Sequence, residues 1–482
     1  MLPLLLVACS SPTTSLPDIV LVSIDGLRWD RTGLGAHDRP TTPNLDRLAD
    51  EGVVFDFAFS QSNESAWSHA SLLTGKYPSE VARPLYATYL VPPGQVTLPE
   101  VLAAAGYRTG GFVAGGHVRS AFGFHQGFET FWEAPGFGSL YETVPRAMAW
   151  AEQVTGPRFV FVHGYDCHRP YAKGSVFFHA FDGDYQGPVD DWIDRRNAVE
   201  RIFDGAYHPD LEIPRIAHVS GAKMSDPRAY RDQARRDAAH GTALTSADID
   251  HIRAHYDGGV LASDTWLGLL VEDLQAAGRW DDTLLVVVSD HGEDLQDHGF
   301  SSHRALVMDS TTRVPFVLAG GAVPEQARGR RLGDLVEAID LVPTLAEVAD
   351  IAPPNGIRGD SLWPLVAEAS VPEADPVFQQ GVLGQVSVRS AGVRLVFDGP
   401  SLTAPDYRAR LAAPVQAGGF ELYVHASDPG EQHDVVGVHP ELAEQLRDLL
   451  LTWYDTLETS EHGRSMSPAL REALREAGYW EG

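Results

Sequence analysis

Cysteine is scarce. Two residues in 482 cannot build a disulfide framework, whereas the length allows one large core or two to three smaller units. Positive charge is short as well: 37 Lys and Arg stand against 66 Asp and Glu, a net charge of -29. That balance argues against a nucleic-acid partner or an anionic membrane surface, so an acidic substrate has to be met locally, by a metal or a few cations. Past the N-terminus no window holds the ~18 apolar residues that a membrane-spanning helix needs. A Gly-x-Ser-x-Gly elbow is missing, which disfavours a Ser-His-Asp esterase. No internal repeat occurs.

What is present starts with Leu4-Leu5-Leu6-Val7-Ala8-Cys9 and a Ser/Pro/Thr stretch, which resembles a bacterial lipoprotein signal with Leu6-Val7-Ala8-Cys9 as lipobox. Cys9 would then carry the lipid as the one membrane attachment, and the protein would face the periplasm or be secreted. The bland alternative is a greasy disordered terminus.

Three short apolar runs read as strands buried on both faces, each followed by polar residues. Ile19 to Ile24 runs into Asp25, Phe159 to His163 into Asp166 and His168, and Leu284 to Val288 into Ser289-Asp290-His291-Gly292-Glu293. In open α/β sheets ligands bind at the carboxyl ends of strands, so these acids and imidazoles are placed to hold a divalent metal. A neutral imidazole suits zinc or manganese better than calcium. Asp25 alone could equally open a turn or cap a helix, and His168 could be a turn residue beside Pro170. His291, His298 and His303 fall within thirteen positions after the most apolar strand, which solvated histidines explain poorly. Asp166, His168 and His303 could build a partial second metal site, without a firm set of three ligands.

The stretch Asn63 to Pro78 reads as a short helix with Gly75 as its stop, which puts Ser65 at the N-terminus. Free N–H groups and the positive dipole end gather there, so the position suits a nucleophile attacking an anionic ester. His69 and Lys76 are two potential cations nearby.

The run Ser-His-Ala-Ser-Leu-Leu-Thr-Gly-Lys-Tyr-Pro, from Ser68 to Pro78, resembles the sulfatase signature within the alkaline-phosphatase superfamily, whose usual form is Cys or Ser-x-Pro-Ser-Arg and then Ala-Ser-Leu-Leu-Thr-Gly-Arg. Ser65 takes the nucleophile position, Trp67 the Pro position and His69 the Arg position. In that family the nucleophile is modified to formylglycine by enzymes that read the Pro or Ala and the Arg, so the two departures imply that Ser65 stays serine. Asp25-Gly26-Leu27-Arg28 is similar to the first metal motif, with Gly26 at a second Asp's position. Ser289-Asp290-His291-Gly292-Glu293 is similar to the second, and the similarity extends from Asp18 to Trp453.

The resemblance implies one divalent ion (Ca, Mn or Zn) held by Asp25, Ser65, Asp290 and His291. His69, Lys76, His168 and His298 would hold the remaining charge, with His168 on the ester oxyanion, and His303 would protonate the leaving group. The expected fold is α/β: a large mixed, mostly parallel sheet flanked by helices, alkaline-phosphatase-like, with a smaller C-terminal α+β subdomain. Residues 1–15 form the signal and linker, 16–370 the catalytic domain with an insertion at about 175–245, and 371–482 the small sheet plus helix. The expected activity is hydrolysis of sulfate esters of small molecules or glycans. Plain serine lacks the second hydroxyl by which formylglycine expels sulfate, so a phosphomonoester or phosphodiester hydrolase, or a phosphotransferase, is the rival. A non-catalytic glycan-binding lipoprotein is a third reading.

Overall fold

The structure, a computed structural model, describes residues 16–81, 91–169, 171, 176–187, 189, 244–299, 301–304, 306–367, 376–390, 392–400, 402 and 404–457. The lipobox, most of the insertion at 175–245 and the domain boundary at 370/371 lie outside the described residues.

Strands β1 (Asp18–Ile24), β2 (Val53–Phe59), β3 (Arg108–Val113), β4 (Thr130–Glu133), β5 (Arg158–Gly164) and β6 (Thr283–Val288) join later strands in one nine-stranded sheet. Eight of its strands run in the order β9-β2-β8-β6-β1-β5-β3-β4, where β8 is Phe316–Ala319 and β9 is Arg330–Glu337, and the ninth, β7 (Arg313–Val314), pairs with β2. Strand β8 runs antiparallel to both neighbours, β7 runs antiparallel to β2, and the other pairs are parallel, as the mixed-sheet expectation has it.

The alternation within each buried run divides the core. Ile19, Leu21, Phe159, Phe161, Leu284 and Val286 point to one face; Val20, Val22, Val160, Val162, Leu285 and Val287 point to the other. Helix α1 (Pro43–Asp50) and the helices α2 (Ser65–Thr74), α3 (Leu140–Gln153) and α4 (Ser246–Ala276) cover the two faces. Trp67, Leu72 and Leu73 of α2 close the first core, and Leu140, Tyr256 and Leu270 the second.

Strand β3 starts at Arg108 and ends at Val113, with Gly110-Gly111, residues of little β propensity, at its centre. The two glycines are needed because Trp150 and Phe131 press onto the strand there: a Cβ would sit 2.8 Å from Trp150 and 2.7 Å from Phe131.

The C-terminal sheet is antiparallel in the order Val377–Gln380, Gln385–Ser390, Val393–Asp398, Phe420–Val424. Helix α5 (Pro440–Thr456) lays Leu446, Leu450 and Trp453 on it. Trp453 stacks on Phe378 at 4.8 Å and meets Tyr77 edge-on at 5.0 Å, so one indole joins the small sheet to the segment that follows α2. We expect Trp453→Ala to destabilise the protein by about 3 kcal/mol in urea unfolding. A loss under ~1 kcal/mol would show that this joint carries little.

Candidate active site

Strands β1, β5 and β6 are in register, with Ser23 opposite both His163 and Val288, so their carboxyl ends leave the sheet at one level. The loops beyond are tied together. Gly26 N and His291 N both donate to Asp290 Oδ1 (3.1 and 2.9 Å), and Leu27 N donates to Ser289 Oγ at 3.0 Å. Tyr256 of α4 clamps the first loop, donating to Gly26 O at 2.7 Å and accepting from Arg28 N at 2.8 Å. Gly26 turns with φ +75°, in the left-handed region where glycine is at ease, at the position where the family's other version has a second Asp.

Ser65 is the first residue of α2, and all ten residues of that helix are buried. The expectation of free N–H groups there needs correction. Glu64 caps the helix, and its side chain accepts from Ala66 N and Trp67 N at 3.1 and 3.3 Å. Glu64 in turn pairs with His117 at 2.9 Å and Arg304 at 3.1 Å. Burial opposes its charge, but His117 and Arg304 outweigh burial and hold its carboxyl down at about 2. The helix dipole is therefore already met by an anion of the protein itself.

Ser65 Oγ lies 3.1 Å from His291 Nε2. The His291 Nδ1–H donates to Gly292 O at 2.7 Å, which leaves the Nε2 lone pair facing inward. That nitrogen is also 3.5 Å from Asp290 Oδ2 and 3.8 Å from Asp25 Oδ1. Neither Asp25 oxygen, nor Asp290 Oδ2, has a hydrogen bond of good geometry, although both side chains are fully buried. Burial and the nearby Asp25 push the Asp290 carboxyl up to about 6, and burial likewise raises Asp25. Two crowded carboxylates, an imidazole and a hydroxyl converging in this way fit a divalent cation, and Asp25, Asp290 and His291 could each supply one ligand atom.

His69 lies below this group. Its Nδ1–H donates to Ser65 O (2.8 Å), Nε2 accepts from Ser23 Oγ (2.9 Å), and Asp290 Oδ2 is 3.4 Å away. His163, which no sequence reading singled out, has Nε2 3.6 Å from Asp25 Oδ2. Burial drives both imidazoles down to about 4, so both are neutral near pH 7 and the Arg position of the signature carries no charge.

On the rim, His303 stacks on His291 with ring centroids 4.2 Å apart, and His168 stands 5.5 Å from His303. Each donates Nδ1–H to a carbonyl at 2.6 Å, His303 to Asn63 O and His168 to Arg169 O, and His303 keeps its Nε2 for a ligand. Glu293 joins them as a third potential ligand, buried with both oxygens lacking hydrogen bonds and pushed up to about 7, chiefly by burial. Asp166 is elsewhere, accepting from Leu140 N at 2.9 Å to cap α3.

Two expected residues are not brought to Ser65. Lys76 follows the C-terminus of the ten-residue helix, about 15 Å along its axis, and donates to Gln95 Oε1 at 3.2 Å. His298 pairs with Asp294 at 3.3 Å and reaches Gly430 O at 3.1 Å, where it ties the site loop to the C-terminal subdomain. The groups that pair with Glu64 beside Ser65 are instead Arg304 and His117, the second arriving from a loop between β3 and β4 with no motif to mark it.

A divalent ion binding here has to displace protons from Asp290 and His291 at low pH, because, against burial, the two carboxylates raise the imidazole as well. Calorimetric titration with Mn2+ should therefore show affinity falling by at least about tenfold per pH unit below pH 6, with proton release. Equal affinity at pH 5 and pH 7 would remove Asp290 from the ligand set.

A family model described as Sulfatase matches residues 17–351. An ulvan-active sulfatase of Formosa agariphila is 26% identical over 439 residues, covering 87% of this chain and 77% of that protein. Among solved structures, a protein in complex with its substrate D-glucosamine-2-N,6-O-disulfate superposes with a TM-score of 0.69 at 19% identity, covering 93% of this chain and 100% of the other. A phosphonate monoester hydrolase of Agrobacterium radiobacter does so with a TM-score of 0.66 at 21% identity, covering 94% and 100%. At those identities the two structures speak for the fold alone. The family generally uses a divalent metal ion, and this chain has groups of residues able to hold one. With the Sulfatase model matched across most of its length and an alkaline-phosphatase-like sheet beneath the site, the chain belongs to the sulfatase family and is a hydrolase acting on sulfate esters.

Proposed function

We propose that the chain cleaves sulfate esters of small molecules or glycans with unmodified Ser65 as nucleophile. Asp25, Asp290, His291 and Ser65 would hold a divalent cation. The observation that carries this reading is the convergence on His291 Nε2 of Ser65 Oγ at 3.1 Å and two buried carboxylates at 3.5 and 3.8 Å. A cation bound there would ease ionisation of the Ser65 hydroxyl and offset the charge of the ester.

Ser65 Oγ attacks sulfur, the S–O bond to the leaving group breaks, and the proton given up by Ser65 ends on the departing oxygen. Arg304 and His168 stand on the rim, where a sulfonate oxygen can meet them. The sulfated serine is then cleared by water, which returns Ser65 and releases hydrogen sulfate. His303 suits that second step better than the expected donation to the leaving group. Burial, with His291, His168 and Arg304, holds it well below the usual histidine range, so it enters the reaction neutral with Nε2 ready to take a proton from water.

One observation favours a second reading, a phosphomonoester, phosphodiester or phosphonate hydrolase, or a phosphotransferase. His168, Glu293 and His303 gather one ligand atom each beside the first group and could hold a further cation, which would activate water for clearing a phosphoserine. The lipobox reading of Leu6 to Cys9 would put either enzyme on the periplasmic face of a bacterial envelope.

The test is turnover of one aryl leaving group as sulfate, phosphate monoester and phosphate diester, with mass spectrometry of the peptide holding Ser65. We expect the sulfate to be cleaved fastest, by protein whose Ser65 is unmodified, and Ser65→Ala to cut the rate by at least ~1,000-fold. Faster phosphate cleavage would install the second reading.

A further inference from the structure

Away from the Ser65 centre, the long helix α4 presents His251 and His255 one turn apart on the same side. Their Nε2 atoms are 2.9 Å from each other, and the two residues are 3% and 0% exposed. Opposite them lies the segment 177–182. Asp182 Oδ2 is 3.7 Å from His255 Nε2 and 2.5 Å from His179 Nδ1.

The surroundings hold these rings in place. Phe178 packs on His255 with centroids 4.0 Å apart, and Tyr185 stacks on His251 at 3.8 Å while its hydroxyl donates to Asp248 one turn earlier. The approach of the segment is written into the helix. At Gly258 a Cβ would sit 2.4 Å from Phe177 O, so a glycine that weakens a helix interior by about 1 kcal/mol is where the segment docks.

We propose that His179, Asp182 and His255 bind a zinc ion, in a site separate from the Ser65 centre, with His251 packed beside it. A tetrahedral zinc with bonds of ~2.0–2.1 Å separates its donor atoms by about 3.3 Å, and the 2.5 Å from His179 to Asp182 and 3.7 Å from Asp182 to His255 straddle that value. Two imidazoles and one carboxylate select zinc over calcium or magnesium, which take oxygen ligands. The ion would leave its fourth position to water. Its effect is to fasten the segment that opens the insertion to α4. The next residue on that helix, Tyr256, holds the Asp25 loop through Gly26 O.

The site does not depend on the reaction proposed above. The test uses full-length Asp290→Asn protein, in which the Ser65 centre is disabled, loaded with zinc and washed with a mild chelator. We expect one zinc per chain by mass spectrometry of the metal. We also expect Co2+ in its place to give the intense visible bands of a tetrahedral site. Adding His255→Gln should remove both signals and abolish the rise in Tm that zinc produces. A buried change can affect folding, so His179→Asn is the second variant: its imidazole is 71% exposed, and zinc should be held at least tenfold more weakly. Folded Asp290→Asn protein that retains no zinc, or His179→Asn protein with parental affinity, would overturn the proposal, and neither result bears on sulfate turnover.

Discussion

Two carboxylates share a fully buried corner at the end of the sheet, and much of the site follows from keeping them there. Burial raises both Asp25 and Asp290 toward the neutral form, and the charge of Asp25 raises Asp290 further. Against burial, the pair draws His291 toward its charged form, and the other groups around it are dipoles and neutral rings. Gly26 N and His291 N point at Asp290 Oδ1, and His69 and His163, both too deep to hold a proton near pH 7, border the pair. The shortfall in positive charge is what a divalent ion would make good, so local chemistry and the chain's acidic composition point the same way.

The cap of α2 sharpens this constraint. A helix N-terminus left open would draw an anionic ester by itself, but Glu64 fills that place and is locked there by His117 and Arg304. Attraction for the ester must then come from the cation and the rim. Arg304 holds Glu64 at 3.1 Å, so the cap of the helix that carries Ser65 is tied to a cation beside the site.

The sheet was legible because its central strands are continuous apolar runs, and the acids and imidazoles at their ends could be read straight off the chain at Asp25, Asp290 and His291. β3 was obscured by Gly110 and Gly111, whose reason is the bulk of Trp150 and Phe131 across the fold. His163 was hidden by its place as one polar residue inside an apolar strand, and Glu293 by its neighbourhood, since Glu after Gly reads as an ordinary solvated acid until burial is known. His117 lies far from every motif and reaches Glu64 only through the packing of its loop. Lys76 shows the opposite failure. Closeness in sequence suggested closeness to Ser65, but a ten-residue helix separates the two by its full length.

Replacing the family's Arg by His69 has a consequence for what the nucleophile can be. An Arg at that position would carry a permanent charge, whereas His69 is held neutral with both nitrogens committed, one to Ser65 O and the other to Ser23 Oγ. Its tie to the Ser65 carbonyl fixes the first turn of α2, and so the direction of the Ser65 hydroxyl, without adding charge beside it. A serine that stays serine cannot discharge its ester by collapsing to an aldehyde, so the second half of the reaction falls to water. A neutral base is then worth more on the rim than another cation, and His303, stacked on His291 with its Nδ1–H committed to Asn63 O, has the protonation state that such a step requires.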